Sequence, residues 1–138
     1  MAERLIDRVT IIEGERYSDE RGWLHVALRR SMLPDDAQLG ELYVVHSEAP
    51  MIRRGDHFHP RANEWFTVVS GQARFEFLDP SSGDRRQLCC DETSPQTIFV
   101  PAGLGHAILN LGPGPLTVVA WSDAPHDPND VVPCDCSK

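Results

Sequence analysis

Four side chains in this sequence can converge on one metal ion: His57 and His59, Glu64 a short turn later, and His106 well downstream. In an extended strand, residues i and i+2 share a face, so the two neighbouring imidazoles can point into one cavity. Glu64 opens the next apolar run, and the turn Pro60-Arg61-Ala62-Asn63 can bring its carboxylate back to the same place. His106 follows a glycine-bearing segment, Pro101-Ala102-Gly103-Leu104-Gly105. Three imidazoles and a carboxylate leave open positions on a divalent ion, and zinc, iron, manganese and nickel all suit such a set. Any single histidine is more often an ordinary hydrogen-bonded residue than a ligand. His25, His46 and His126 are read that way with respect to metal, whereas spacing and strand context agree for the other three.

The elements that must position these residues are strands. Helical periodicity is absent, and short apolar runs punctuated by Gly, Pro, Asp and Ser recur instead. The runs are Val9–Ile12, Trp23–Leu28, Glu41–His46, Glu64–Val69, Gln72–Leu78, Gln87–Cys90, Thr97–Val100, His106–Leu111 and Leu116–Trp121. About nine short strands at this spacing predict an all-β sandwich or barrel. Within Gln72–Leu78, Ala73, Phe75 and Phe77 alternate with Arg74 and Glu76, the pattern of a half-buried antiparallel strand. Ser70-Gly71 reads as a tight hairpin turn, and Asp79–Asp84 and Ser31–Asp36 as polar loops. Beyond Trp121 the chain turns to Asp, Pro and Asn, so residues 122–138 are expected to form an extended, weakly ordered arm.

The chain has 138 residues, enough for one compact domain spanning 1–138. Its formal net charge is -8, with 21 Asp plus Glu against 13 Lys plus Arg, which argues against a broad nucleic-acid or anionic-lipid footprint. The N-terminal residues lack an apolar leader core and no run is long enough to span a bilayer, so a cytoplasmic protein without membrane contact is expected. Cys89-Cys90 and Cys134-Asp135-Cys136 lack the spacing of zinc knuckles. The first pair reads as small packing residues and the second as part of a mobile tail.

The segments HxHxxxxE from His57, followed by Gly71, and PxGxxHxxxN from Pro101 resemble the two motifs of the cupin superfamily. That resemblance implies a double-stranded β-helix, or jelly-roll barrel, with a metal inside its mouth. A closer resemblance runs from about Tyr17 to Val132. Asp19-Glu20-Arg21-Gly22, Arg54-Gly55-Asp56-His57-Phe58-His59, Asn63–Gly71 and Trp121–Pro128 are similar to the C-terminal cupin domain of capsular polysaccharide assembling proteins. In that family the domain is a zinc-dependent C3 epimerase of a nucleotide-linked 4-keto-6-deoxy sugar, fused to a reductase. The Asp-x-Arg-Gly and Arg-Gly-x-His segments also resemble dTDP-4-dehydrorhamnose 3,5-epimerases, in which the histidine aligned with His57 is the catalytic base. The sequence departs from the capsular family at His25-Val26, where a Thr-Glu pair is usual, near Glu41, where a Gln is usual, and at Trp65, where a Lys is usual. Those departures point to a changed pocket.

The resemblance therefore implies a metal-dependent epimerase or isomerase of a nucleotide sugar in glycan, capsule or antibiotic-sugar biosynthesis, with zinc as cofactor and a homodimer as assembly. Moving a proton beside a ketone requires a base, an acid and an electrophile for the enolate. If His57 is a ligand, the base must come from elsewhere, and His25, Glu41 and Tyr43 are the candidates. Arg21, Arg53, Arg54 and Arg61 are placed near the motifs to take a diphosphate, and Trp65 is a candidate stacking surface. Competing readings are an iron or manganese dioxygenase on the same ligand set, a non-catalytic sugar-binding cupin, and a metal-free 3,4-ketoisomerase.

Overall fold

The structure is a computed structural model that describes residues 3–138, so Met1 and Ala2 of the expected domain lie outside it. Two five-stranded antiparallel sheets face each other. One has the order β1 (Thr10–Glu13), β9 (Gln96–Val100), β6 (Glu64–Ser70), β11 (Leu116–Ser122), β4 (Glu41–Ser47). The other runs β12 (Val132–Pro133), β5 (Arg53–Phe58), β10 (Gly105–Asn110), β7 (Gln72–Leu78), β8 (Arg85–Asp91). A separate hairpin pairs β2 (Glu15–Asp19) with β3 (Gly22–Val26). This is the jelly-roll barrel that the cupin resemblance implies, within the sandwich-or-barrel class expected from the strand pattern.

Strand alternation builds the core. On β11, Leu116, Val118 and Ala120 are buried while Thr117, Val119 and Trp121 face the other way. Ala73, Phe75 and Phe77 of β7 meet Phe66 and Val68 of β6, Ile98 and Val100 of β9, and Ile108 of β10 in one cluster. Glu76 departs from the simple alternation, because it is buried on the opposite face between Arg53 and Arg74.

Two expectations are corrected, and one strand is added. Ser70-Gly71 is not a hairpin turn, since β6 and β7 belong to different sheets and the chain crosses the barrel there. Gly71 makes the corner with φ of 92°, and an added Cβ would lie 2.4 Å from the Pro115 carbonyl oxygen. Arg53–Phe58, not among the expected apolar runs, is a full strand that carries His57, while His59 lies just past its end. Residues 122–138 are not a loose arm: β12 pairs with β5, and Asp130 and Cys136 are only 5% and 3% exposed. No helix among the described residues is long and apolar enough to cross a membrane.

Phe75 is wholly enclosed at the centre of this cluster. Phe75→Ala is expected to lower unfolding free energy by about 3–5 kcal/mol in urea titrations, and a near-neutral result would contradict the packing described.

Candidate metal centre

The register of β5 against β10 sets the centre. His106 lies opposite His57, but Ala107 lies opposite Gly55, so Asp56 is the extra residue of a bulge. Gly55 and Asp56 take positive φ values of 97° and 55° there. The extra residue breaks strict alternation, so Arg54 and His57 border the same small cavity although they lie three apart, with Arg54 itself exposed. Arg53 and Asp56 face outward and pair with each other at 2.9 Å, while Arg53 also reaches Glu76 at 2.6 Å.

Inside the barrel, His57, His59 and His106 bring one ring nitrogen each within 4.8 Å of the others. Glu64, at the start of β6 and 3% exposed, points its Oε1 at the Nε2 atoms of His59 and His106, at 3.1 and 3.2 Å. The opposite nitrogens are already used. His59 Nδ1 donates to the Asp130 carbonyl at 2.8 Å and His106 Nδ1 to the Leu104 carbonyl at 3.1 Å. A carbonyl only accepts, so each Nδ1 carries the hydrogen and a neutral ring presents a lone pair at Nε2. Two such lone pairs then confront a carboxylate oxygen that is buried and accepts no well-aligned hydrogen bond. Acceptor against acceptor is stable only with a cation between them, either a proton or a metal ion. Imidazoles fixed through Nδ1 to carbonyls, with Nε2 free beside a carboxylate, are a donor set suited to a divalent ion.

The electrostatics place a cation between His59 and Glu64: burial lowers the His59 imidazole, but the hydrogen bond and charge of Glu64 outweigh it and raise the group. Burial alone would raise the Glu64 carboxyl, but His106, His59 and Tyr43 outweigh it and hold the group well below the usual carboxylate range. Burial, with His106 and His59 nearby, pushes His57 down to about 4, so this ring is neutral at neutral pH. The other Glu64 oxygen, Oε2, accepts the Tyr43 hydroxyl of β4. Burial and then the Glu64 charge push that phenol upward, so it stays protonated.

Two cavities flank the cluster. A cleft of about 620 Å³ is lined by Glu41, Tyr43, His57, His59, Glu64 and Asp130, among others. A smaller one of about 230 Å³ lies behind Tyr43 and His57 and is bordered by Arg54. Glu41 and Tyr43 thus fall in the site beside the four metal candidates. His25 does not: it sits with Trp65 and Trp121 along a trough on the outer face of the first sheet. Its ring lies tilted at 34° against Trp23 with centroids 4.2 Å apart, and both of its nitrogens are covered with no hydrogen-bond partner among the described residues. Trp65 likewise points outward, stacked on Trp121 at 4.2 Å, because Glu64 beside it points in. Arg21 lies in the hairpin paired with Asp19 at 2.6 Å, and Arg61 pairs with Asp127 at the cleft rim. Arg54 alone of the four candidates has no carboxylate partner among the described residues. Asp130 is the residue that the sequence reading missed, since its contact with His59 is made by backbone and leaves no motif.

The family described as "Polysaccharide biosynthesis C-terminal domain" matches residues 17–132. The chain is 28% identical over 111 residues to UDP-2-acetamido-2,6-beta-L-arabino-hexul-4-ose reductase of Pseudomonas aeruginosa, covering 80% of this chain and 28% of that protein. Among solved structures, it superposes on the capsular polysaccharide assembling protein CapF of Staphylococcus aureus with TM-score 0.67 and 25% identity, over 88% of this chain and 34% of CapF. It also superposes on ChmJ, a 3'-monoepimerase from Streptomyces bikiniensis solved with dTDP-quinovose, with TM-score 0.78 and 23% identity, over 89% of this chain and 67% of ChmJ. The chain thus spans about a third or less of the reductase and of CapF.

Because Tyr43 is the donor to Glu64 Oε2, Tyr43→Phe is expected to cost about 1–3 kcal/mol in urea unfolding at neutral pH, since a buried carboxylate oxygen is left unpaired. An unchanged midpoint would contradict that hydrogen bond.

Proposed function

The chain belongs to the polysaccharide biosynthesis C-terminal domain family, and from that membership we propose that it is a metal-dependent epimerase or isomerase of a nucleotide-linked 4-keto-6-deoxy sugar in glycan, capsule or antibiotic-sugar biosynthesis. The observation that carries this reading is the meeting of His57, His59, His106 and Glu64 at the side of a cleft large enough for a sugar. Similarity to ChmJ and CapF supports the substrate class. His57, His59, Glu64 and His106 would hold the ion, zinc in the first instance. Such an ion, when bound, supplies an electrophile that stabilises a developing enolate oxygen.

The chain's own groups divide the remaining work. Glu41 lines the cleft from the inward face of β4 with no hydrogen-bond partner among the described residues, which suits a carboxylate that accepts a proton from the carbon beside the ketone. Tyr43, two residues on, keeps its proton and is oriented by Glu64, which suits a donor. Arg54, exposed and bordering the smaller cavity, is the cation available to a diphosphate, whereas Arg53 and Arg21 are already neutralised by carboxylates. Association into a homodimer is supported by exposed apolar side chains: Tyr17, Trp23 and Leu24 on the hairpin, and Leu39, Leu42 and Val44 near the outer sheet face.

One observation favours a second, metal-free reading. The ring of His57 makes no hydrogen bond to any described residue, unlike those of His59 and His106, and it borders both cavities together with Tyr43. A neutral His57 could then be the base and Tyr43 the acid.

Incubation with nucleotide-linked 4-keto-6-deoxy sugars in heavy water is expected to place deuterium on the carbon beside the ketone. Glu41→Gln should slow that exchange by about 10²–10⁴-fold if Glu41 is the base, while His57→Asn abolishing exchange in metal-stripped, active protein would select the second reading. Absence of exchange with every such sugar would overturn both, and oxygen uptake with bound iron or manganese would put a dioxygenase in their place.

A further inference from the structure

The C-terminal segment lies against both ligand-bearing turns. β12 extends the second sheet at β5, with Val132 opposite Phe58 and Pro133 opposite His57. The Cys134 and Cys136 amides donate to the Asp56 carbonyl at 2.9 Å and to its Oδ1 at 3.0 Å, closing over the bulge that aims His57. Just before β12, a short turn at Pro128–Asp130, capped by the Asp127 carboxylate, delivers Asp130 into the wall of the cleft.

Asp130 uses every acceptor it has on the segment that carries His59 and Glu64. Its carbonyl takes the His59 Nδ1 hydrogen at 2.8 Å. Its Oδ1 takes the Arg61 amide at 2.8 Å, with Arg61 Nε at 3.5 Å, and its Oδ2 takes the Ala62 amide at 3.1 Å. One buried residue therefore fixes the hydrogen-bearing nitrogen of His59 and the backbone turn that returns Glu64 to it. A surface staple would need only the carboxylate contacts. The additional carbonyl contact determines which nitrogen of His59 faces the cavity and in which orientation.

We infer that Asp130 is a positioning residue of the metal centre, acting through His59 and through the His59–Glu64 turn, so that the C-terminal segment is part of the site. The inference rests on the metal-dependent reading above. A ligand whose orienting partner is loosened samples orientations that do not bind, and affinity falls by about 10–100-fold when such partners are lost.

The test compares wild type, Asp130→Ala, Asp130→Asn and Thr97→Val in the full chain. Thr97 is a stability control, because its buried hydroxyl bonds Thr67 and the Ala27 carbonyl on the outer face of the first sheet. Zinc affinity is read by competition with a chromophoric chelator, and ligand geometry by the visible spectrum of bound cobalt(II). Asp130→Ala is expected to weaken zinc binding about 10–100-fold and to change the cobalt spectrum. Asp130→Asn keeps one oxygen but turns an amide hydrogen toward a backbone N–H, so it should weaken binding in the same direction. It is the variant to read if the alanine protein does not fold. Thr97→Val should lose stability while leaving both readouts at wild-type values. Wild-type affinity and an unchanged spectrum in the Asp130 variants would overturn the inference and leave the metal reading standing. A wild-type chain that binds neither zinc nor cobalt would overturn the metal reading, and the inference with it.

Discussion

A carboxylate sealed inside an apolar barrel is costly unless donors or cations surround it, and Glu64 is such a group. One of its oxygens is satisfied by Tyr43, while the other faces two imidazole nitrogens whose hydrogens are committed elsewhere. Much of the interior can be understood as a response to that single charge. Tyr43 is placed on the inward face of β4, and His106 sits on a strand with every residue buried. His59 is gripped from outside the barrel so that its free nitrogen is turned inward. The same arrangement that relieves the charge leaves three imidazole nitrogens and one carboxylate oxygen around a common point.

The barrel reaches this arrangement by departing from regular strand geometry at a few places. At Gly71 the chain leaves one sheet for the other, where only a glycine clears the Pro115 carbonyl at the observed φ. The bulge at Gly55-Asp56 adds one residue opposite His106 and turns Arg54 and His57 to the same side. Outside that bulge, Arg53, Asp56, Glu76 and Arg74 form a chain of ion pairs, and the C-terminal amides close over it. These are structural costs, and they cluster around the ligand-bearing turns.

Much of this was legible in the sequence because alternation and metal spacing are local signals. Ala73, Phe75 and Phe77 announced an inward face, and His57, His59, Glu64 and His106 were identified as one set from spacing and flanking turns. What stayed hidden depends on partners far along the chain. Arg53 and Arg54 look equivalent in sequence, and the bulge decides which of them pairs with Asp56 and which borders the cavity beside His57. Trp65 lies on a barrel strand whose parity puts it on the outer face, and His25 lies on the separate β2–β3 hairpin, which brings it to the same outer trough. The tail was read as loose because Asp, Pro and Asn usually signal loops. Its order comes from backbone amides and carbonyls, which no motif records, and from the Asp130 and Asp56 carboxylates accepting amides far away in sequence.

The central claim is that side chains from both halves of the chain form one metal site, and elemental analysis tests it most directly. Protein purified without a metal-binding tag would be compared with His106→Ala, which removes the ligand farthest in sequence from the other three. The account predicts about one divalent ion per wild-type chain, with zinc the expected metal, and its loss in the variant while the fold is retained. No metal in the wild-type protein after reconstitution, or undiminished metal in the variant, would contradict it.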